Sequence, residues 1–149
     1  MDDKDQQILR ELQRNGRISN ADLAERVNLS PSPCLRRLRI LEKSGVIEGY
    51  TAIINQKAYG LPVTVFIQIK LAHHSTKAAQ EFERQIQGIH KIIDCHLMTG
   101  DTDYLLRVVV ESLEDYEAFI REHIHPIPSI ASINTSFAYG VVKQSRVLP

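Results

Sequence analysis

The 149-residue chain carries 18 Lys and Arg against 18 Asp and Glu, with 43% hydrophobic and 24% charged residues, two Cys and no Trp. That balance excludes a disordered chain and a disulfide scaffold, no apolar run approaches the roughly 18 residues of a membrane span, and the acidic start Met1-Asp2-Asp3-Lys4-Asp5 is no secretory signal, so the expected compartment is cytoplasmic with no membrane partner. In chain order, a first helix is predicted from about Asp3 to Arg14. Ile8, Leu9 and Leu12 form its apolar stripe, acids sit at its positive end, and Asn15-Gly16 stops it. Ser19 caps a short second helix ending near Val27, with Asp22 three residues later. After the tight turn Asn28-Leu29, Ser30 caps a third helix that opens on Pro31 and ends at Gly45. Val46 to Ile54 reads as a strand pair turning near Glu48-Gly49, a small wing behind three helices.

From residue 61 the pattern changes. Val63 to Leu71 is a β-branched strand, Thr76 to Gln87 a helix with Ala79, Phe82 and Ile86 on one face, and Ile92 to Met98 a second strand. Gly100-Asp101-Thr102-Asp103 turns into a third strand from Tyr104 to Val110. Ser112 and Asp115 cap a helix from Leu113 to Ile124, Pro126 and Pro128 break it, and Ile130 to Tyr139 is the fourth strand. The order βαββαβ predicts a ferredoxin-like α+β unit at 61–149 beside a winged helix-turn-helix and linker strand at 1–60. One face of such a sheet stays bare, and a homodimer that stacks two sheets is its expected cover.

Two short helices joined by a tight turn place the second in the major groove of double-stranded DNA. Neutral overall charge argues against that partner only as a total. The first 50 residues hold nine basic and eight acidic residues, yet Ser30 to Ser44 carries Arg36, Arg37, Arg39 and Lys43 against Glu42 alone. Ser30 and Ser32 stand at the helix N-terminus, where hydroxyls and N–H groups take phosphate. Ser32 and Arg36 are expected in the groove, Arg37 and Arg39 on phosphates or neighbouring helices, and Arg17 on the backbone. One such unit makes few phosphate contacts, which again calls for a dimer at least. No metal site is expected: His73-His74, Cys95-His96 and His123/His125 lack ligand spacing. No nucleophile, phosphate loop or cofactor fingerprint accompanies Asp101 and Asp103, so no enzyme is expected.

Gly16-Arg17-Ile18-Ser19-Asn20-Ala21-Asp22-Leu23-Ala24, Val27 to Cys34 and Arg37 to Ile47 resemble the N-terminal domain of the Lrp/AsnC (feast/famine) regulators, and Cys95-His96-Leu97-Met98-Thr99-Gly100-Asp101-Thr102-Asp103-Tyr104-Leu105-Leu106 resembles their effector-domain signature. The resemblance runs from about Asp3 to Arg146, and Ser30-Pro31-Ser32-Pro33-Cys34 together with Val142-Lys143-Gln144-Ser145 points to the leucine-responsive branch. It implies a transcription factor built from dimers, often an octamer, with an amino-acid effector and no other cofactor. It also implies a cleft between dimers lined by Met98, Gly100, Asp101 and Asp103 from the loop and Thr135, Ser136 and Phe137 from the last strand, with His96 nearby. The loop chemistry suits a zwitterion, since N–H groups hold a carboxylate and an Asp holds an ammonium. Met98 and Phe137 favour an apolar side chain such as Leu or Met. The alternative is an amino-acid-binding regulatory subunit of a metabolic enzyme, without DNA binding.

Overall fold

The computed structural model describes Met1–Ser145 with Val147 and Leu148. Arg146 and Pro149, which bound the expected resemblance and second domain, lie outside the described residues. The chain divides into two units, Met1–Ile53 with Val142–Pro149, and Ile54–Val141. The division into units falls between 53 and 54, and the C-terminal segment groups with the first unit. Leu148 N–H donates to the Gln13 side-chain oxygen at 2.7 Å, which explains that membership.

The first unit is three helices: α1 (Asp3–Arg14), α2 (Asn20–Arg26) and α3 (Pro31–Lys43). Asp2 and Asp5 form a reciprocal capping box at the start of α1, and the Ser19 hydroxyl accepts from Asp22 N–H at the start of α2. Asn28 turns the chain with a φ of 53°, a conformation that Asn tolerates better than most residues. Ser30 occupies the N-cap of α3, but its hydroxyl makes no capping bond there. Ile8, Leu23, Ala24, Val27, Cys34 and Leu41 pack together, one apolar stripe from each helix.

The wing is irregular chain rather than the expected strand pair: residues 46–55 form no ladder among the described residues. Two strands of three or four residues are marginal without a third. The segment folds back instead. Tyr50 OH donates to Glu42 at 3.0 Å, and the Tyr50 ring lies so close to Gly16 that an added Cβ would sit 3.7 Å from it.

The second unit holds β1 (Val63–Leu71), α4 (Thr76–Ile86), β2 (Ile92–Leu97), β3 (Tyr104–Val110), α5 (Leu113–Phe119) and β4 (Ile130–Phe137). The sheet is antiparallel in the order β2-β3-β1-β4. Along β1, Val65, Ile67, Ile69 and Leu71 are buried and alternate with exposed Phe66, Gln68 and Lys70. Those buried residues join Phe82 and Ile86 of α4 and Tyr116 and Phe119 of α5 in one core. The helices therefore cover one face and leave the other open, as the alternation requires. The second helix does not run regularly to Ile124. A π turn spans Ile120–Ile124, with His125 N–H donating to Ile120 C=O at 2.8 Å. No helix among the described residues is long and apolar enough to cross a membrane.

Candidate functional site

Two places in the chain carry expected function, and each is built by its own unit. On α3, the buried positions Cys34 and Leu41 turn one side inward, and Ser32, Arg36, Arg39, Ile40 and Lys43 emerge on the other. Arg36 and Arg39 make no hydrogen bond or ion pair with the described residues, so their guanidinium groups project as unneutralised donors. Pro31 at the first position removes one N–H, and the Ser30 hydroxyl, unused as a cap, is available to an external acceptor. Arg17 is exposed in the turn after α1, its backbone N–H held by the Asn15 side chain at 3.0 Å.

Arg37 is placed differently. Its Nη1 donates to Asp2 Oδ2 and Asp5 Oδ1, both at 2.8 Å, which ties α3 to the first turn of α1. Two carboxylates raise the Arg37 pKa, Asp5 contributing more than Asp2. The Asp2 carboxyl is held below the usual carboxylate range, first by the Asp5 N–H and then by Arg37. Sequence reading has no signal for this pairing, because its partners lie 32 and 35 positions away.

In the second unit, residues 98–103 link β2 to β3. Met98 N–H donates to Asp103 C=O at 2.8 Å, which closes the loop, and Gly100 sits at φ +108°, where a side chain is strained. Among the described residues, nothing accepts from the N–H groups of Thr99, Gly100, Asp101 and Thr102. Asp103 is an anchor as well as a charge. Its Oδ2 accepts Leu71 N–H at 2.7 Å, its own N–H donates to Ile69 C=O at 2.9 Å, and Oδ1 lies 3.3 Å from His74 Nδ1. His74 and Asp103 border an open cleft of about 240 Å³ also lined by Leu71, Ala79, Leu97 and Tyr104. Asp101 is exposed at the tip.

The last-strand candidates do not join this loop within one chain. Thr135 and Phe137 pair with Ile67 and Val65 of β1, whereas the loop lies beyond Tyr104, which pairs with Ile69. At ~3.3 Å per residue and ~4.8 Å per strand, the two groups are on the order of 15 Å apart. They also point to different faces. Thr135 shares a hydrogen bond with Tyr116 OH, and Phe137 meets the Tyr116 ring edge-on at 5.1 Å, both on the helix-covered side. Ser136 lies on the open face beside Phe66, and His96 lies there beside Leu105. The open face also carries the ion pair of Arg107 with Asp94.

Burial pushes the Cys95 thiol up to about 11, with Glu83 adding to the effect, and it raises the Cys34 thiol too, so neither is an activated nucleophile.

Residues 1–48 match the model of a winged helix-turn-helix DNA-binding domain, and residues 64–148 that of the Lrp/AsnC ligand-binding domain. The leucine-responsive regulatory protein of Haemophilus influenzae is 40% identical over 99% of this chain and 89% of its own length. An AsnC family transcriptional regulator from Agrobacterium tumefaciens superposes with a TM-score of 0.95 at 37% identity, covering 100% of this chain and 97% of that one. A transcriptional regulator from Neisseria meningitidis, solved as its complex with L-Met, superposes with a TM-score of 0.95 at 32% identity, covering 100% and 96%.

Proposed function

The chain belongs to the Lrp/AsnC family of DNA-binding transcriptional regulators, and from that premise we propose that its third helix reads double-stranded DNA while the 98–103 loop takes an amino acid with an apolar side chain. Its family is one of regulators, not enzymes, and the DNA-binding domain removes the alternative of a regulatory subunit that never meets DNA. The observation that carries the reading is the outer side of α3, where Arg36 and Arg39 stand without a partner among the described residues.

Ser32 and Arg36 enter the major groove, and Arg39, Arg17 and the Ser30 hydroxyl hold phosphates. Arg37 is already neutralised by two carboxylates through Nη1 and adds little to phosphate binding. One copy makes few such contacts, so affinity depends on linking copies, with recognition helices on half-sites about 34 Å apart or a multiple of that.

The unpaired N–H groups of the loop receive the effector's carboxylate. Asp103, through Oδ1, and exposed Asp101 receive its ammonium, and Met98 faces its side chain. Because Thr135, Ser136 and Phe137 are too far from the loop of their own chain, they complete the pocket from a second copy, with His96 on the open face nearby. The effector then favours the assembly that joins those copies, by its differential affinity for joined and separate forms. A dimer stacked through the open sheet faces, and an octamer of four such dimers, supplies both kinds of contact. The Neisseria complex supports L-methionine and the Haemophilus relative's name supports leucine. The compartment of such a regulator is the cytoplasm.

The test is an anisotropy titration of a duplex that the wild-type chain enriches from a random pool, with and without L-methionine or L-leucine. Arg36→Ala is expected to weaken that duplex about 5- to 150-fold, the value of a bidentate Arg–guanine pair of about 1–3 kcal/mol. Asp103→Ala is expected to bind DNA and lose the amino-acid response. Undiminished affinity in the first variant, or an unchanged response in the second, defeats the reading.

A further inference from the structure

We infer that Arg37 is a positioning residue: the acidic first turn of α1 grips its guanidinium and fixes where α3 lies, leaving Arg36 and Arg39 to read DNA. The inference rests on the reading of α3 as the DNA-facing helix.

Arg37 lies three residues after buried Cys34 and four before buried Leu41, at the margin of the inward stripe, whereas Arg36 and Arg39 lie on the outer side. Its side chain is 29% exposed and that of Asp5 16%, against 55% for Asp2, so Asp5 is the inner and better-shielded partner. The same turn of α1 also holds the other helix of the pair. Lys4 Nζ donates to the C=O of Val27, the C-cap of α2, at 2.6 Å. Asp2, Lys4 and Asp5 thus fasten α1 to the end of α2 and the middle of α3. Asn20 Nδ2 donates to Pro31 C=O at 2.9 Å, which ties the start of α2 to that of α3. Arg26 reaches Glu11 at 2.9 Å, a further tie between α1 and α2.

A guanidinium between two carboxylates is a poor phosphate ligand: Nη1 holds both acids, their two negative charges outweigh its one positive charge, and they repel a phosphate approaching the remaining N–H groups. A small shift of α3, by contrast, moves every base-reading side chain it carries. The two roles therefore leave different marks. A phosphate contact contributes equally on any sequence and adds to the salt dependence of binding. A positioning residue affects the specific complex and leaves the salt dependence alone.

The experiment uses the full chain, the duplex enriched by the wild type, and a scrambled duplex, titrated by anisotropy across several KCl concentrations. Arg37→Met keeps the bulk of the side chain without its charge, and Asp5→Asn keeps the capping acceptor without its charge. Arg37→Met is expected to weaken the selected duplex about tenfold and the scrambled duplex less than about twofold, with the slope of log K against log salt unchanged. Asp5→Asn weakens the selected duplex in the same direction, and the double variant is no worse than Arg37→Met alone. The assignment is overturned if Arg37→Met weakens both duplexes alike and reduces the slope by about 0.9 per recognition helix, as a lost phosphate contact does. It is also overturned if Asp5→Asn binds more tightly, which means a released Arg37 has moved to phosphate, or if neither variant changes binding. Should Arg37→Met fail to fold by circular dichroism, Asp5→Asn alone decides by the sign of its effect. A wild-type chain that enriches no sequence defeats the DNA reading and this assignment together, whereas enrichment with unchanged variants defeats the assignment alone.

Discussion

The two units are held together by different means. In Ile54–Val141, a continuous apolar core from Val65 to Ile127 lies between sheet and helices. In the first unit, a smaller cluster around Ile8, Leu23 and Leu41 is ringed by polar ties between helices: Arg37 to Asp2 and Asp5, Lys4 to Val27, Arg26 to Glu11 and Asn20 to Pro31. Apolar burial is non-directional, and it stabilises a fold without dictating small shifts of one helix on another. Charge-assisted bonds have narrow geometry and do dictate them. The unit that must present side chains to a groove spends its polar groups on placement, and the unit that must hold a sheet together spends its residues on volume.

The largest expected effect tests the volume side. Phe82 is fully buried and its ring centroid lies 4.5 Å from that of Tyr104. Phe82→Ala is expected to cost about 3–5 kcal/mol in urea unfolding of the second unit. A loss below about 1 kcal/mol would show that this core collapses around the gap and would blur the contrast. A smaller effect tests the polar ties that the second unit does have. Asp115 accepts from Lys91 and from Glu111 N–H, and its carboxyl is held below the usual range, by Lys91 first. A depressed folded pKa gives stability that is present above the unfolded carboxylate value and lost as pH falls through the folded one. Urea midpoints of the wild type should therefore drop on acidification through the range below pH 4 more steeply than those of Asp115→Asn; parallel curves would remove Asp115 from the account. The smallest effect is expected at Arg84, whose pairing with Glu81 is exposed on α4. Arg84→Ala should change stability by less than about 0.5 kcal/mol, and a larger loss would mean that surface charge matters in this unit too.

Elements with local signals were legible in the sequence. The Ser19–Asp22 cap, the opening of α3 on Pro31 and the β-branched run of β1 each depend on residues a few positions apart, and their boundaries agree with the structure within a residue. The irregular path of the wing was not, because whether a ladder forms depends on which segment pairs with which, and Tyr50 packs at Gly16 instead. The separation of the loop from Thr135 and Phe137 follows from strand order, which no single segment encodes. The split of Thr135 and Phe137 from Ser136 was available in principle, since neighbours on a strand face opposite ways. Arg37 was legible as bound for a phosphate or a neighbouring helix, but not as the partner of Asp2 and Asp5, because those lie at the far end of the unit's sequence.

The π turn at Ile120–Ile124 bears on length. In a regular α-helix, residues five apart point ~140° away from each other, so Phe119 and Ile124 could not both face inward. Here both are buried, 2% and 0% exposed. The wider turn takes up one residue more than an α turn does, and Arg121 and Glu122 lie outside within it. A chain shorter by one residue at this point, wound as an ordinary α-helix, would bring the same two side chains to i and i+4 and keep both inside. The turn is thus a place where the spacing between two core residues is decoupled from the number of residues between them.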